Sequence, residues 1–163
     1  MKIGLVLEGG AMRGMYTAGV LDTFLDKDFW LDGVISVSAG ALFGVNYPSK
    51  QKGRAIRYNK KFMPDARYIS LKNLIKTGNI ISKEFAFYEV PFKQDVFDNA
   101  TFQQTQIDFY ATITNLNTAQ AEYIKLTDPL AQMEVLRATS AMPYVSTPVE
   151  INGIPYLDGA IAD

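Results

Sequence analysis

The chain has 163 residues, of which 48% are hydrophobic and 20% charged, a composition typical of a folded domain and not of a disordered or fibrous chain. Its net charge of −1 excludes the overall positive field that attracts nucleic acid. It contains neither histidine nor cysteine, which excludes triads with an imidazole base, cysteine nucleophiles, disulfides and zinc sites built from imidazole or thiolate ligands. We therefore expect one domain over residues 1–163, with no metal, no cofactor and no nucleic-acid partner.

The first part of the chain predicts strand, helix, strand and helix in that order. The apolar run 3–7 is typical of a strand covered on both faces, and residues 14–27 then follow a helical pattern. A second β-branched run, 34–37, is followed by small and apolar residues over 41–45 that indicate another helix. This order implies a right-handed β-α-β crossover and a parallel sheet.

Later segments predict two helices, over 48–64 and from Asp128 to about Ser140, and two hairpins, 107–114 with 121–126 and 149–151 with 154–157. The second hairpin carries Asn152-Gly153 at its turn, the strongest short hairpin signal. Residues 68–94 are aromatic-rich without a clear period, and their fold is not predicted.

The start of the chain does not have the pattern of a secretory signal. Glu8 interrupts the first apolar run after a few residues, and no apolar run reaches membrane-spanning length. We expect a cytoplasmic protein, at most peripheral to a membrane.

A glycine-rich loop joins the first strand to the first helix. It consists of Gly9, Gly10, Ala11, Met12, Arg13 and Gly14. Backbone amides in such a loop can bind a phosphate or the oxyanion of a tetrahedral intermediate. Many folds use the same loop for packing alone, so both interpretations stay open. Arg13 could brace the loop carbonyls, meet an anionic head group or remain a solvated cation.

A second short motif, Ser36-Val37-Ser38-Ala39-Gly40, ends the second strand and opens a helix. It has the form of a nucleophile elbow, in which small neighbours allow a strained turn that exposes the serine hydroxyl. Ser36 stands where the elbow usually has glycine. The alternative is that Ser38 is an ordinary helix N-cap.

The third motif, Asp158-Gly159-Ala160, follows the last hairpin. Asp-Gly is usually only a turn. In a parallel sheet, however, strand ends meet at one edge, where the glycine loop and Ser38 are also delivered. A chain without histidine needs another base beside its serine, and Asp158 is placed to supply a carboxylate.

Together these three motifs resemble, in order, the signature blocks of the patatin-like phospholipases. The stretch 136–143 is similar to the helix and turn that these proteins carry before the aspartate. Two positions depart from the family pattern, since Ala11 and Ser36 stand where glycine is frequent.

The resemblance implies a three-layer α/β/α fold with a mainly parallel central sheet. It also implies hydrolysis of lipid acyl esters, with Ser38 as nucleophile, Asp158 as base and the loop amides around Gly10, Ala11 and Met12 as oxyanion donors. The chain ends five residues after Asp158, whereas family members continue with more sheet and helix, so we expect a truncated form with an incomplete sheet.

Two other functions remain as alternatives. Gly9-x-Ala11-x-x-Gly14 approximates a dinucleotide-binding fingerprint, with Asp32 as its acidic residue. Asp32 precedes the second strand, however, whereas the fingerprint needs an acidic residue at that strand's end. A catalytically idle relative that binds lipid is the other alternative.

A local excess of positive charge lies between the two prolines at 48 and 64. Its members are Lys50, Lys52, Arg54, Arg57, Lys60 and Lys61. Such a cluster could attract an anionic membrane surface, although a solvated helix face explains it as well.

Overall fold

Six strands form one mixed sheet in the computed structural model, which describes residues 2–163. The strands are β1 Gly4–Leu7, β2 Gly33–Ser36, β3 Asp108–Asn115, β4 Gln120–Lys125, β5 Val149–Ile151 and β6 Ile154–Asp158. Their order is β1-β2-β3-β6-β5, and β4 also pairs with β3. The core strands β1, β2 and β3 are parallel, and the remaining pairings are antiparallel. The predicted α/β fold with a parallel sheet at its core is confirmed.

Six α-helices accompany the sheet in this part of the chain. They are α1 Gly14–Asp26, α2 Ala39–Gly44, α3 Arg54–Phe62, α4 Leu71–Thr77, α5 Asn99–Gln103 and α6 Met133–Thr139. Over residues 2–163, no helix is both long and apolar enough to cross a bilayer.

Helix α6 begins later than predicted. The sequence predicts a helix from Asp128, but that side chain instead caps a separate turn, accepting a hydrogen bond from the Ala131 amide at 2.9 Å. The Gln132 side chain accepts from the Thr127 amide at 2.8 Å and closes the same turn. These side-chain bonds compete with helical pairing, so the regular helix starts at Met133.

The helices that connect β1, β2 and β3 pack on one face of the sheet. Two right-handed crossovers that step in the same direction place their helices on the same side. That face contributes Leu7, Val34 and Phe109 to the core, with exposed fractions of 5%, 2% and 0%. On the opposite face Val6 is 71% exposed and Ile35 is 42% exposed. Residues 2–163 therefore leave this part of the second face uncovered.

The aromatic-rich middle of the chain folds as a π-helical segment, Lys83–Gln94. Its buried Phe85 and Phe87 enter the two hydrophobic clusters of the core. Because a π-helix does not follow the 3.6-residue period and this one contains Pro91, pattern reasoning could not identify it.

Candidate active site

Two strands converge on the same edge of β3, and this convergence builds the site. Strand β4 pairs with β3 alongside both β2 and β6, so β2 and β6 share the edge opposite β4. Ser36 at the end of β2 lies opposite Ala111, and Asp158 at the end of β6 lies opposite Ile113. The carboxyl ends of β2 and β6 therefore approach each other beside Thr112.

Ser38 occupies a strained turn directly after β2. Its φ of 54° and ψ of −126° lie in a region that residues with a Cβ rarely adopt. It stands at the N-cap position of α2, yet its side chain makes no capping hydrogen bond. The hydroxyl is therefore not used for capping, and the N-cap interpretation accounts for the position of Ser38 but not for its conformation.

The two small residues that flank the turn have different reasons to be small. A Cβ on Gly40 would lie 2.3 Å from the Leu7 carbonyl oxygen, so only glycine allows α2 to start against the end of β1. Ser36 is buried and its hydroxyl donates to the Tyr110 carbonyl at 2.7 Å. A serine fits where glycine is frequent because the neighbouring strand provides an acceptor.

Thr139 is a site residue that the sequence did not single out. It is fully buried near the end of α6, and its Oγ1 accepts a hydrogen bond from the Ser38 amide at 2.9 Å. The contact joins positions 101 residues apart, and no local pattern indicates it. The only signal was the family-like stretch 136–143 that contains this threonine.

Asp158 lies at the end of β6 with only 4% of its surface exposed. Its Oδ1 accepts from the Ala160 amide at 3.0 Å, and its own amide donates to the Ala141 carbonyl at 2.9 Å. Burial raises the pKa of the Asp158 carboxyl, while the hydrogen bond from the Ala160 amide and the nearby Ser38 hydroxyl lower it in part. The structure thus brings the carboxyl and the serine hydroxyl together.

Gly159 explains the second position of the Asp-Gly-Ala motif. A Cβ there would lie 2.3 Å from the Thr112 carbonyl oxygen. Because the turn presses against the backbone of β3, any side chain would push Asp158 away from the edge of the sheet.

The glycine loop lies directly against the serine. A Cβ on Gly9 would lie 2.9 Å from the Ser38 Cβ. Within residues 2–163, the amides of Gly10, Ala11 and Met12 donate to no other group of the protein. Ala11 has a φ of 48°, a left-handed conformation that its methyl group makes costly. The strain holds free amides beside the hydroxyl, which suits an oxyanion site.

The last two residues of the loop have structural contacts. The Arg13 amide donates to the Gly10 carbonyl at 3.0 Å and its Nε reaches the same oxygen at 3.4 Å, so this side chain braces the loop. Gly14 was expected in the oxyanion loop, but it is buried at the start of α1 and does not line the cavity. A Cβ on Gly14 would lie 2.9 Å from the Phe43 ring, so its role is to let α1 pack against α2.

An open cavity of about 920 Å³ connects these parts. Its lining includes the loop from Gly9 to Arg13, Ser38 and Asp158. Val6 and Ile35, on the open face of the sheet, supply apolar lining. The cavity thus offers apolar contacts together with a hydroxyl, a carboxyl and free amides.

The structure places Asp32 away from this cavity. Its carboxylate accepts a hydrogen bond from the Ile3 amide at 2.6 Å, at the amino ends of β1 and β2. The glycine loop lies at the carboxyl end of β1, so the two halves of the dinucleotide fingerprint are at opposite edges of the sheet. In residues 2–163, no three of the His, Cys, Asp or Glu side chains are grouped to hold a metal ion.

The cationic set predicted for membrane contact does not form one exposed face. Arg54 is buried, and its Nη1 donates to Asn46 at 2.9 Å while its Nε lies 3.4 Å from the Asp95 carboxylate. Arg57 binds the same carboxylate at 2.8 Å, and Lys52 pairs with an acidic side chain of α1 at 2.6 Å. Arg54 is therefore a core residue, because α3 turns it toward Asp95. Lys50, Lys60 and Lys61 are exposed.

The glycine loop and the serine turn at one edge of a mixed α/β sheet are consistent with the patatin-like class of α/β proteins. The model of the family described as "Patatin-like phospholipase" matches residues 5–163. The chain belongs to this family, whose members are generally hydrolases of lipid esters.

The chain is similar in sequence to one known protein and in structure to another. It is 32% identical over 174 residues to the uncharacterized protein YjjU of Escherichia coli K12, an alignment that covers 99% of this chain and 46% of that protein. VipD of Legionella pneumophila has a similar structure, with a TM-score of 0.53 and 16% identity, over 99% of this chain and 46% of that chain. At this identity the likeness to VipD shows the fold alone. The chain spans less than half the length of both proteins.

Proposed function

We propose that this protein is a serine hydrolase of lipid acyl esters, with Ser38 as nucleophile and Asp158 as general base. The observation that carries the proposal is the Ser38 turn. It holds a hydroxyl that caps no helix beside a buried carboxyl and next to three free amides. The family supplies the substrate class, a carboxylic ester of a lipid.

The proposed reaction has two halves. In the first, the Ser38 hydroxyl passes its proton to Asp158 as Oγ attacks the ester carbonyl carbon, and the loop amides bind the oxyanion. The intermediate collapses, the C–O bond to the alcohol breaks, and the alcohol leaves with the proton from Asp158. In the second half, Asp158 takes a proton from water, the hydroxide attacks the acyl-enzyme, and the fatty acid leaves as Ser38 regains its proton.

Burial of Asp158 supports its role as a base. A raised pKa makes the carboxylate a better proton acceptor than an ordinary aspartate, whose pKa is about 3.9. Because only the ionised form accepts the proton, kcat/KM should fall as the pH drops through this raised pKa. A pH profile on a soluble ester, with its acid limb above about 3.9, is the expected result. An acid limb at or below that value would contradict a buried carboxylate base.

The decisive variant is Ser38→Ala. It should lower the hydrolysis of a short-chain nitrophenyl ester by at least about a thousandfold and abolish labelling by a fluorophosphonate. Ser82→Ala, which removes a hydroxyl that only caps the π-helical segment, is the matched control and should leave both unchanged. Undiminished turnover in Ser38→Ala would refute the proposal.

The same assay separates the two alternative functions. A titration with NAD(H) beside the ester assay should show no binding, since Asp32 lies at the far edge of the sheet. Vesicle binding without hydrolysis of any ester would instead indicate an idle, lipid-binding relative.

A further inference from the structure

Helix α4 presents its apolar side chains to solvent. Leu71 is 70% exposed and Ile75 is 87% exposed, and their spacing of four residues puts them on the same face. A surface helix normally turns such a stripe toward the core. Here Leu74 is the one apolar side chain of the helix that is half-buried, and no residue of the helix is fully buried.

Hydrogen bonds cap both ends of this helix. Ser70 caps its start by accepting a hydrogen bond from the Asn73 amide at 3.1 Å. At its end the Gly78 amide donates to the Leu74 carbonyl at 2.8 Å. The helix therefore has well-defined ends, with its apolar stripe on the exposed side.

The end of α4 is attached to a segment that walls the cavity. The Ile80 amide donates to the Val145 carbonyl at 2.8 Å, and the Thr147 amide donates to Asn79 at 3.0 Å. The same segment, 142–147, begins with two residues that line the cavity. Between them and Val145, Tyr144 is 99% exposed at a left-handed φ of 68°.

The charge around the stripe is positive. Lys72 and Lys76 are exposed neighbours of Leu71 and Ile75, and the helix contains no acidic residue. Lysine stems can lie along an apolar surface while their ammonium groups reach lipid phosphates.

We propose that Leu71, Ile75 and Tyr144, flanked by Lys72 and Lys76, form a docking surface for an anionic lipid bilayer. We call these five residues the α4 surface. The apolar side chains enter the boundary between head groups and acyl chains, and the lysines contact the phosphates. Docking would bring the cavity wall at 142–147 to the layer of the bilayer that holds the ester bonds. This purpose rests on the proposed function.

Binding is tested on vesicles of ether-linked phosphatidylcholine with and without ether-linked phosphatidylglycerol. These lipids lack carboxylic esters, so binding is measured without hydrolysis. The Leu71→Ser/Ile75→Ser double variant should partition into the anionic vesicles about tenfold or more weakly than the unaltered protein. Val96→Ser, at an apolar side chain that is 59% exposed elsewhere, is the matched control and should bind normally.

A second pair of variants tests the charge. Lys72→Glu/Lys76→Glu should bind anionic vesicles roughly tenfold or more weakly and neutral vesicles nearly as before. Lys60→Glu/Lys61→Glu on α3 is the matched control and should have a smaller effect.

The outcomes separate the docking surface from the catalytic proposal. All four variants should hydrolyse a soluble short-chain ester as fast as the unaltered protein does. If neither the unaltered protein nor any variant hydrolyses it, the result contradicts the proposed hydrolase activity and leaves the docking surface unaffected. The docking surface is overturned if the unaltered protein does not bind vesicles, if both α4 variants bind like it, or if the controls lose as much binding.

Discussion

Among single residues, Asp158 has opposite consequences for stability and for chemistry. Its folded pKa is raised by burial, so the ionised carboxylate lowers the stability of the folded protein at every pH above that pKa. Below about 3.9 the carboxyl is protonated in both the folded and unfolded chains, and this cost is absent. Asp158→Asn should therefore raise Tm near pH 8, with a gain that shrinks as the pH is lowered, while ester hydrolysis is lost. The gain should disappear between the raised pKa and about 3.9, so thermal melts from about pH 4 to pH 8 measure the trend, and a gain independent of pH over that range would contradict it.

Thr139 acts on the reaction through the Ser38 backbone. Thr139→Val keeps the shape of the side chain but leaves the buried Ser38 amide without its acceptor, at a cost of about 1–3 kcal/mol in unfolding free energy. We expect a lower kcat with little change in KM, because the turn loses its orientation and the cavity keeps its walls. Thr139→Ser restores the acceptor and should restore kcat. If both variants behave alike, the hydroxyl has no positioning role.

Between elements, the packing of α2 on β1 depends on the absence of one methyl group. Gly40→Ala would force a Cβ to within 2.3 Å of a backbone oxygen and should cost at least about 1–3 kcal/mol in urea denaturation. Gly19→Ala is the matched control, since no heavy atom lies within 4 Å of the added Cβ inside α1. It should stabilise the protein by about 0.5–1 kcal/mol. Equal losses in the two variants would contradict this packing argument.

Elements with a strong local signal could be predicted, and those without one could not. The hairpin of β5 and β6 follows from Asn152-Gly153, whose φ values of 52° and 79° fit a tight turn with both central residues left-handed. The 3.6-residue period located α1. The π-helical segment and the late start of α6 depend on tertiary packing and side-chain hydrogen bonds, which no period reveals.

At the scale of the whole molecule, Arg54 joins distant parts of the chain. It is buried between α2 and the segment after the π-helix, where it contacts Asn46 and Asp95. Arg54→Met should cost about 1–3 kcal/mol, because the Asn46 side chain and the Asp95 carbonyl lose their donor, while Arg57 still pairs with the Asp95 carboxylate. Lys52→Met removes an ion pair whose two side chains are about half exposed, and it should cost about 1 kcal/mol or less. Chemical denaturation compares the two, and similar costs would show that Arg54 is not structurally special.

The candidate site was predictable in its parts but not in its assembly. The three motifs named Ser38, Asp158 and the glycine loop because each has a short local pattern. Thr139 and the buried position of Arg54 have no such pattern, since they depend on contacts between residues far apart in sequence. The open second face of the sheet follows from crossover direction, which becomes clear only with the strand order.

Strand β3 sets the distance between the two strand ends that carry the reaction centre. The partners of Ser36 and Asp158 on it are only two positions apart, about 7 Å at the usual rise of a strand. The spacing is thus set by one stretch of backbone, whatever the length of the loops that separate the two motifs along the chain. Insertions in those loops leave this spacing unchanged, whereas one extra residue between Ala111 and Ile113 would alter it.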